Sequence, residues 1–162
     1  MVVMDQFTRQ IVDFSVHPAI VDGPTICRMF NNIIGSSSIP RYLSSDKDPL
    51  FKFHRWKANL RILDIVEVKS VSYVPLSHPF VERLIGTIRR EFLDHVPFWG
   101  AIDLERKLRS FKEYYNRVRA HRGLDGEIPE PKPANVTQSI ASLDGYRWKS
   151  YCRSLYQLPV AA

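Results

Sequence analysis

PLSHPFVERLIGTIRREFLD, residues 75–94, is the stretch whose reading decides the fold. At about 100° per residue, Phe80, Val81, Leu84, Ile85, Ile88 and Phe92 fill an arc roughly 140° wide, so an amphipathic helix is expected from about residue 79 to 93. Glu82 and Arg89 fall within about 20° of one another just outside that arc, beside Gly86. Arg83 and Arg90 form a second basic row away from the apolar side. The helix therefore carries a carboxylate and three guanidinium groups on faces that its own packing does not use.

Upstream, SSDKDPLF (44–51) supplies a second carboxylate, with 35 residues intervening between Asp46 and Glu82. Residues 40–45 read as a strand that terminates in Asp46, and Asp48-Pro49 reads as a helix start whose apolar side is Phe53, Trp56 and Leu60. An acid at the mouth of a strand and another on a helix are oxygen ligands of the kind a hard cation such as Mg²⁺ takes, together with substrate phosphate oxygens. Two-metal phosphoryl transfer uses such acids, and a third, shared carboxylate is then expected. The ordinary structural roles stand beside this. An Asp after a strand forms turns or caps helices, a Glu early in a helix is favoured by the dipole, and Arg89 and Arg90 suit a solvated face.

Around these segments, residues 1–4 and 10–16 read as two short strands of an antiparallel hairpin, with Gln6 to Arg9 as the turn. Pro24 fits a first helical position, and Ile26, Phe30, Ile33 and Ile34 share a face, so a helix is expected near 24–34, ended by Gly35 and three serines. Alternation over 65–69 predicts a strand, and 71–79, with Pro75 and Pro79, predicts a loop. Leu104, Leu108, Phe111, Tyr115 and Val118 predict a packing helix near 103–120 with Asp103 as its cap. EIPEPKP (127–133) breaks the pattern, and 146–160 alternates as a terminal strand or hairpin on the outside of the core.

The 162-residue length suits one domain with a sizeable core, and no internal repeat is present. Lys and Arg outnumber Asp and Glu 23 to 17, for a net charge of +6, which favours contact with a polyanion such as nucleic acid over the alternative of a merely basic enzyme. Cys27 and Cys152 are far apart and form no CxxC, and the five histidines show no HxxxH spacing, so zinc chemistry has little support. There is no GxSxG and no GxxxxGK[ST], which disfavours serine-hydrolase chemistry and ATP use. The polar start around Asp5 and Arg9 and the lack of long apolar runs predict a soluble, unexported chain with no membrane partner.

Taken together, VVMDQFTRQIVDF (2–14), YLSSDKDPLF (42–51), PLSHPFVERLIGTIRREFLD (75–94) and FKEYYNRVRAHRGLDGEIPEP (111–131) resemble the catalytic core of retroviral-type integrases and insertion-sequence transposases. The resemblance spans roughly residues 1–131, with 132–162 as a C-terminal tail containing a strand. It implies an α/β, RNase H-like mixed sheet flanked by helices, and an Asp, Asp, Glu triad that binds two Mg²⁺ or Mn²⁺ ions. Asp46 then stands as the second catalytic carboxylate and Glu82 as the third, while Arg83, Arg89 and Arg90 meet DNA. Two local departures are Lys47-Asp48, where the family usually has Asn-Gly, and His78-Pro79-Phe80, where it has a polar-Gly stretch.

Asp5 is the tempting first carboxylate, but DQFTR resembles the family's Asp-x-Phe-Ser-Arg segment on the second strand, and its ordinary role is to fix the turn with Thr8 and Arg9. The expectation is therefore a fold lacking its first, central strand, and with it the first carboxylate. The function implied is a transposase or integrase core for DNA integration, recombination and transposition of a mobile element, inactive as an N-terminally truncated chain. The alternative is a non-catalytic transposase remnant that regulates by binding DNA or an intact transposase. Partners implied are transposon-end and target DNA and a homo-oligomer or intact transposase, in a cytoplasmic, nucleoid-associated setting.

Overall fold

The computed structural model of the chain describes residues 1–46, 48–69, 79–130 and 145–161. It opens on β1 (Val2–Met4) and β2 (Ile11–Phe14), an antiparallel pair in the register Val2 to Phe14, Val3 to Asp13 and Met4 to Ile11. The step from Asp13 to Ile11 against consecutive residues of β1 is a bulge at Val12. An extra residue reverses the pleat, which is why Ile11 and Phe14, three positions apart, enter the same core.

Side chains of β1 alternate between two layers. Val2 and Met4 pack on a cluster built from Leu84, Ile88, Phe92, Leu108 and Phe111, whereas Met1 and Val3 pack on a second cluster built from Ile26, Phe30, Trp56 and Leu60. Period-two alternation thus places the hairpin between two helical layers, an α/β architecture.

The second cluster belongs to α1 (Gly23–Gly35) and α2 (His54–Ile62). Asp22 caps α1, its Oδ1 accepting from the Thr25 amide at 2.8 Å, and Pro24 lies in the first turn as expected. Gly23 allows close approach: a Cβ there would overlap the Phe53 ring. β3 (Tyr42–Ser45) runs parallel to β4 (Val66–Lys69), with Ser45 opposite Lys69. Between them Pro49–Lys52 forms a 3-10 turn that Asp48 caps through the Leu50 amide at 2.8 Å.

The first cluster belongs to α3 (Pro79–Ile88) and α4 (Ala101–Arg117). Pro79 opens α3 rather than closing the loop before it; residues 70–78 of that expected loop lie outside the described residues. The helical hydrogen bonding of α3 passes into a π-helical turn over Arg89–Leu93. Leu84, Ile88 and Phe92 are buried as the wheel predicts, but Ile85 is 42% exposed, because the packed arc is narrower than the apolar one. Asp103 lies inside α4 rather than at its cap: it accepts from the Trp99 amide and pairs with the buried Lys107.

β5 (Tyr146–Tyr151) and β6 (Tyr156–Ala161) form a terminal antiparallel hairpin, whose Cys152 is buried in the α3–α4 cluster. The strands thus make three two-stranded ladders, and among the described residues no ladder joins β1 to β3. Among the described residues no helix is long and apolar enough to cross a membrane.

Candidate functional site

Asp46 follows β3 directly and is exposed. Its Oδ1 accepts from the Asp48 amide at 3.0 Å, an Asx turn that steers the chain into the 3-10 turn, while Oδ2 has no protein partner among the described residues. The turn-forming role and the ligand role are therefore compatible, because they use different oxygens. β3 and β4 are parallel, so both release the chain at the same end of their ladder, and ligands of α/β sheets gather at the carboxyl ends of such strands.

Glu82 lies in the first turn of α3 and is exposed, with no hydrogen bond or ion pair among the described residues. Its helix is fixed by contacts that sequence reading missed. The Arg9 guanidinium lies over the Phe80 ring, 3.1 Å from its centroid, which pins the β1–β2 turn to the turn of α3 that bears Glu82. Arg9 adopts a left-handed backbone, φ 65°, to make that reach. Asp5 holds the turn beneath it: its two carboxylate oxygens accept from the Phe7 amide and the Thr8 hydroxyl, each at 2.8 Å.

At the far end of the same helix, Glu91 receives two hydrogen bonds from Arg119, at 2.8 and 2.7 Å, and Tyr156 donates to the Glu91 carbonyl. That hydrogen-bonded carboxylate raises the Arg119 pKa. His121 donates from Nε2 to the Tyr115 carbonyl at 3.1 Å, which leaves Nδ1 to accept from Arg119 at 3.3 Å. Asn116 bonds both backbone groups of Ile11. The Tyr-Tyr-Asn, Arg and His residues are thus a brace joining α4, α3 and the hairpin, and not a reacting group. The quoted motif was the available signal, but its tertiary partners lie up to 105 residues away.

Arg83, Arg89 and Arg90 are exposed, and none forms an ion pair among the described residues. Arg90 folds back along the helix, with Nη1 3.0 Å from the place a Cβ on Gly86 would take. Asp46 and Glu82 share no hydrogen-bond partner, and among the described residues no group of three or more His, Cys, Asp or Glu side chains converges. The donor set offers carboxylate oxygens at solvent-open positions, which suits a hard divalent ion completed by phosphate oxygens and water.

Residues 69–129 match the model of the integrase core domain. Over that stretch the chain is similar to integrase cores. The matched stretch contains Glu82, all three arginines and the brace, and leaves Asp46 upstream. Among solved structures, the fold is similar to a chain of the simian T-cell lymphotropic virus intasome, with TM-score 0.60 and 16% identity over 91% of this chain. The present chain spans 54% of that one, about half its length. It is similar also to the BIV integrase catalytic core, TM-score 0.59 at 19% identity, over 79% of this chain and 80% of that one. The HTLV-2 integrase catalytic core in complex with magnesium gives TM-score 0.56 at 18% identity, over 79% of each chain. No curated protein matches. The sequence match over residues 69–129 and the similarity of fold across most of the chain thus agree.

Proposed function

We propose that this integrase-type core serves phosphoryl transfer on DNA, the cutting and joining of strands for transposition or integration, only together with a third carboxylate beyond Asp46 and Glu82, and is inactive in joining by itself. The observation that carries the reading is the integrase core match over the Glu82 helix, joined to a carboxylate, Asp46, at the carboxyl end of a parallel strand. Asp46 and Glu82 are the residues that would hold Mg²⁺ or Mn²⁺, and a bound ion supplies activation of the attacking hydroxyl and stabilisation of the leaving oxygen. In the reaction a water or DNA 3′-hydroxyl oxygen forms a new bond to phosphorus in line with the departing 3′-oxygen, which takes up a proton. Arg83, Arg89 and Arg90 face the DNA phosphates and offset their charge. Self-association is proposed as well, since the HTLV-2 cores are dimeric and trimeric forms. A nucleoid-associated cytoplasmic setting goes with this reading.

The test is metal-dependent joining of labelled duplex ends by the wild type extended with an upstream strand that bears the third carboxylate, and by Asp46→Asn and Glu82→Gln variants of that extended chain. Joined product from the extended wild type that disappears in both variants supports the reading; product that persists in the variants removes these acids from the site.

A second reading is a non-catalytic regulator that binds DNA or an intact transposase, favoured by the engagement of both Asp5 carboxylate oxygens in its own turn. Reduced transposition on co-expression, with no joining by the extended chain, would select it.

A further inference from the structure

The turn between β5 and β6 closes a cleft against α4 and the connection that leads into it. Two cavities, of about 220 and 310 Å³, share Val96, Lys107, Cys152 and Arg153 in their lining and so are two parts of one cleft. The buried Phe92 and Cys152 floor the smaller part together with Val96, and Arg106, Lys107 and Arg153 bring three cations to it. Trp99, 80% exposed, lines the larger part, with its ring 5.2 Å from the Lys107 ammonium. Among the described residues no acidic side chain lines either part.

The fold holds this cleft at a cost. Cys152, Arg153 and Ser154 follow one another in left-handed backbone, φ 50°, 57° and 68°, which side chains disfavour and which gathers where ligands are clamped. Lys107, only 4% exposed, donates to the Pro97 carbonyl and to Asp103 Oδ2, the latter at 2.6 Å. An ammonium group has three protons, so one is left for an acceptor in the cleft. Arg106 forms no ion pair among the described residues, and Arg153 approaches Asp103 only to 3.9 Å. With Asp103 set against Lys107, both guanidinium charges stay largely uncompensated.

Charge and shape select the occupant. The cations ask for an anion, and the apolar floor asks for a flat apolar body. A cavity of about 150 Å³ accepts benzene, so the smaller part admits a ring of nucleobase size. Cations beside an exposed aromatic ring are the phosphate-and-stacking combination that holds single-stranded nucleic acid.

We propose that the cleft binds a short unpaired stretch of DNA. One base sits on the floor of Phe92, Val96 and Cys152, the next stacks on Trp99, and Arg106, Arg153 and Lys107 hold the phosphate between them. The inference rests on DNA as the partner but not on the Asp46 and Glu82 assignment, since neither acid lines the cleft.

Fluorescence anisotropy with a labelled oligothymidylate and a duplex of the same length, using the full chain, tests it. Trp99→Ala should weaken single-strand binding by roughly tenfold, and Arg106→Gln should lower its salt slope by about 0.7. Both side chains are exposed, so far-UV circular dichroism of these variants should match the wild type. Arg153→Gly separates binding from folding: it relieves the left-handed strain, so the urea midpoint should rise while single-strand affinity falls several-fold. Unchanged oligothymidylate affinity in Trp99→Ala and Arg153→Gly overturns the proposal. So does an equal loss for duplex and single strand, which would make the cleft a general phosphate contact. A wild type that binds the duplex but not oligothymidylate removes the cleft reading alone, whereas one that binds neither removes DNA as the partner as well.

Discussion

The Asn116 carboxamide pairs with the backbone of Ile11 on both sides, Oδ1 accepting from the amide and Nδ2 donating to the carbonyl, each at 2.9 Å. A side chain from the end of α4 thereby takes the place of a ladder partner for β2, at a buried position where water cannot substitute. Asn116→Leu removes both bonds and leaves a buried N–H and C=O unpaired. The expected loss is about 2–4 kcal/mol, since each such group costs about 1–3 kcal/mol. Urea unfolding checks this, with Asn116→Asp expected to retain part of the stability through the Ile11 amide.

Arg9 combines a left-handed backbone with a guanidinium stacked on Phe80. Arg9→Gly loses the stacking but relieves a backbone strain of about 1 kcal/mol, whereas Arg9→Ala loses the stacking and keeps the strain. Arg9→Ala should therefore be less stable than Arg9→Gly by about 1 kcal/mol. In both variants amide exchange over residues 80–84 should quicken, because the pin on the Glu82 turn is gone.

His121 is buried, and desolvation lowers its pKa, with nearby Arg119 adding to the effect against the opposing hydrogen bond to Tyr115. Below the ordinary histidine value of 6.5 the unfolded chain takes up a proton that the folded chain resists. The stability tied to a neutral His121 is thus complete above that value and declines as the pH falls through 6.5 toward the lowered folded pKa. The urea midpoint should drop between pH 7.5 and 5.5 more steeply in the wild type than in His121→Asn, and equal slopes would contradict the assignment.

Arg89 begins the π-helical turn, is exposed and forms no ion pair among the described residues. If it contacts a DNA phosphate, Arg89→Ala should weaken duplex binding similarly for all sequences and lower the salt slope by about 0.9. A changed sequence preference with an unaltered slope would place Arg89 at a base edge instead.

What could be read from the sequence was what local periodicity determines. The helices at Gly23–Gly35 and Ala101–Arg117, the strand ending at Asp46 and the terminal hairpin all follow from apolar spacing and from turn or cap residues. What escaped was tertiary. The Val12 bulge sets Ile11 and Phe14 on one side against the period of a strand, and Asn116 finds its partner 105 residues away. Lys107 is buried because Asp103 and the Pro97 carbonyl accept hydrogen bonds from its ammonium group, partners that helical spacing alone does not reveal. For the candidate site, the residue types and their spacing were legible. The Arg9 contact that fixes the Glu82 turn was not, since an arginine in a hairpin turn carries no sign of the ring it will cover.

Crystals of the full chain soaked in Mn²⁺ test the central claim most directly, through the anomalous signal and the carboxylate positions around it. The account predicts an ion held by oxygens of both Asp46 and Glu82, at about 2.1–2.2 Å from each, close to the distance at which Mg²⁺ is held. Carboxylates facing apart with no shared ion would contradict it.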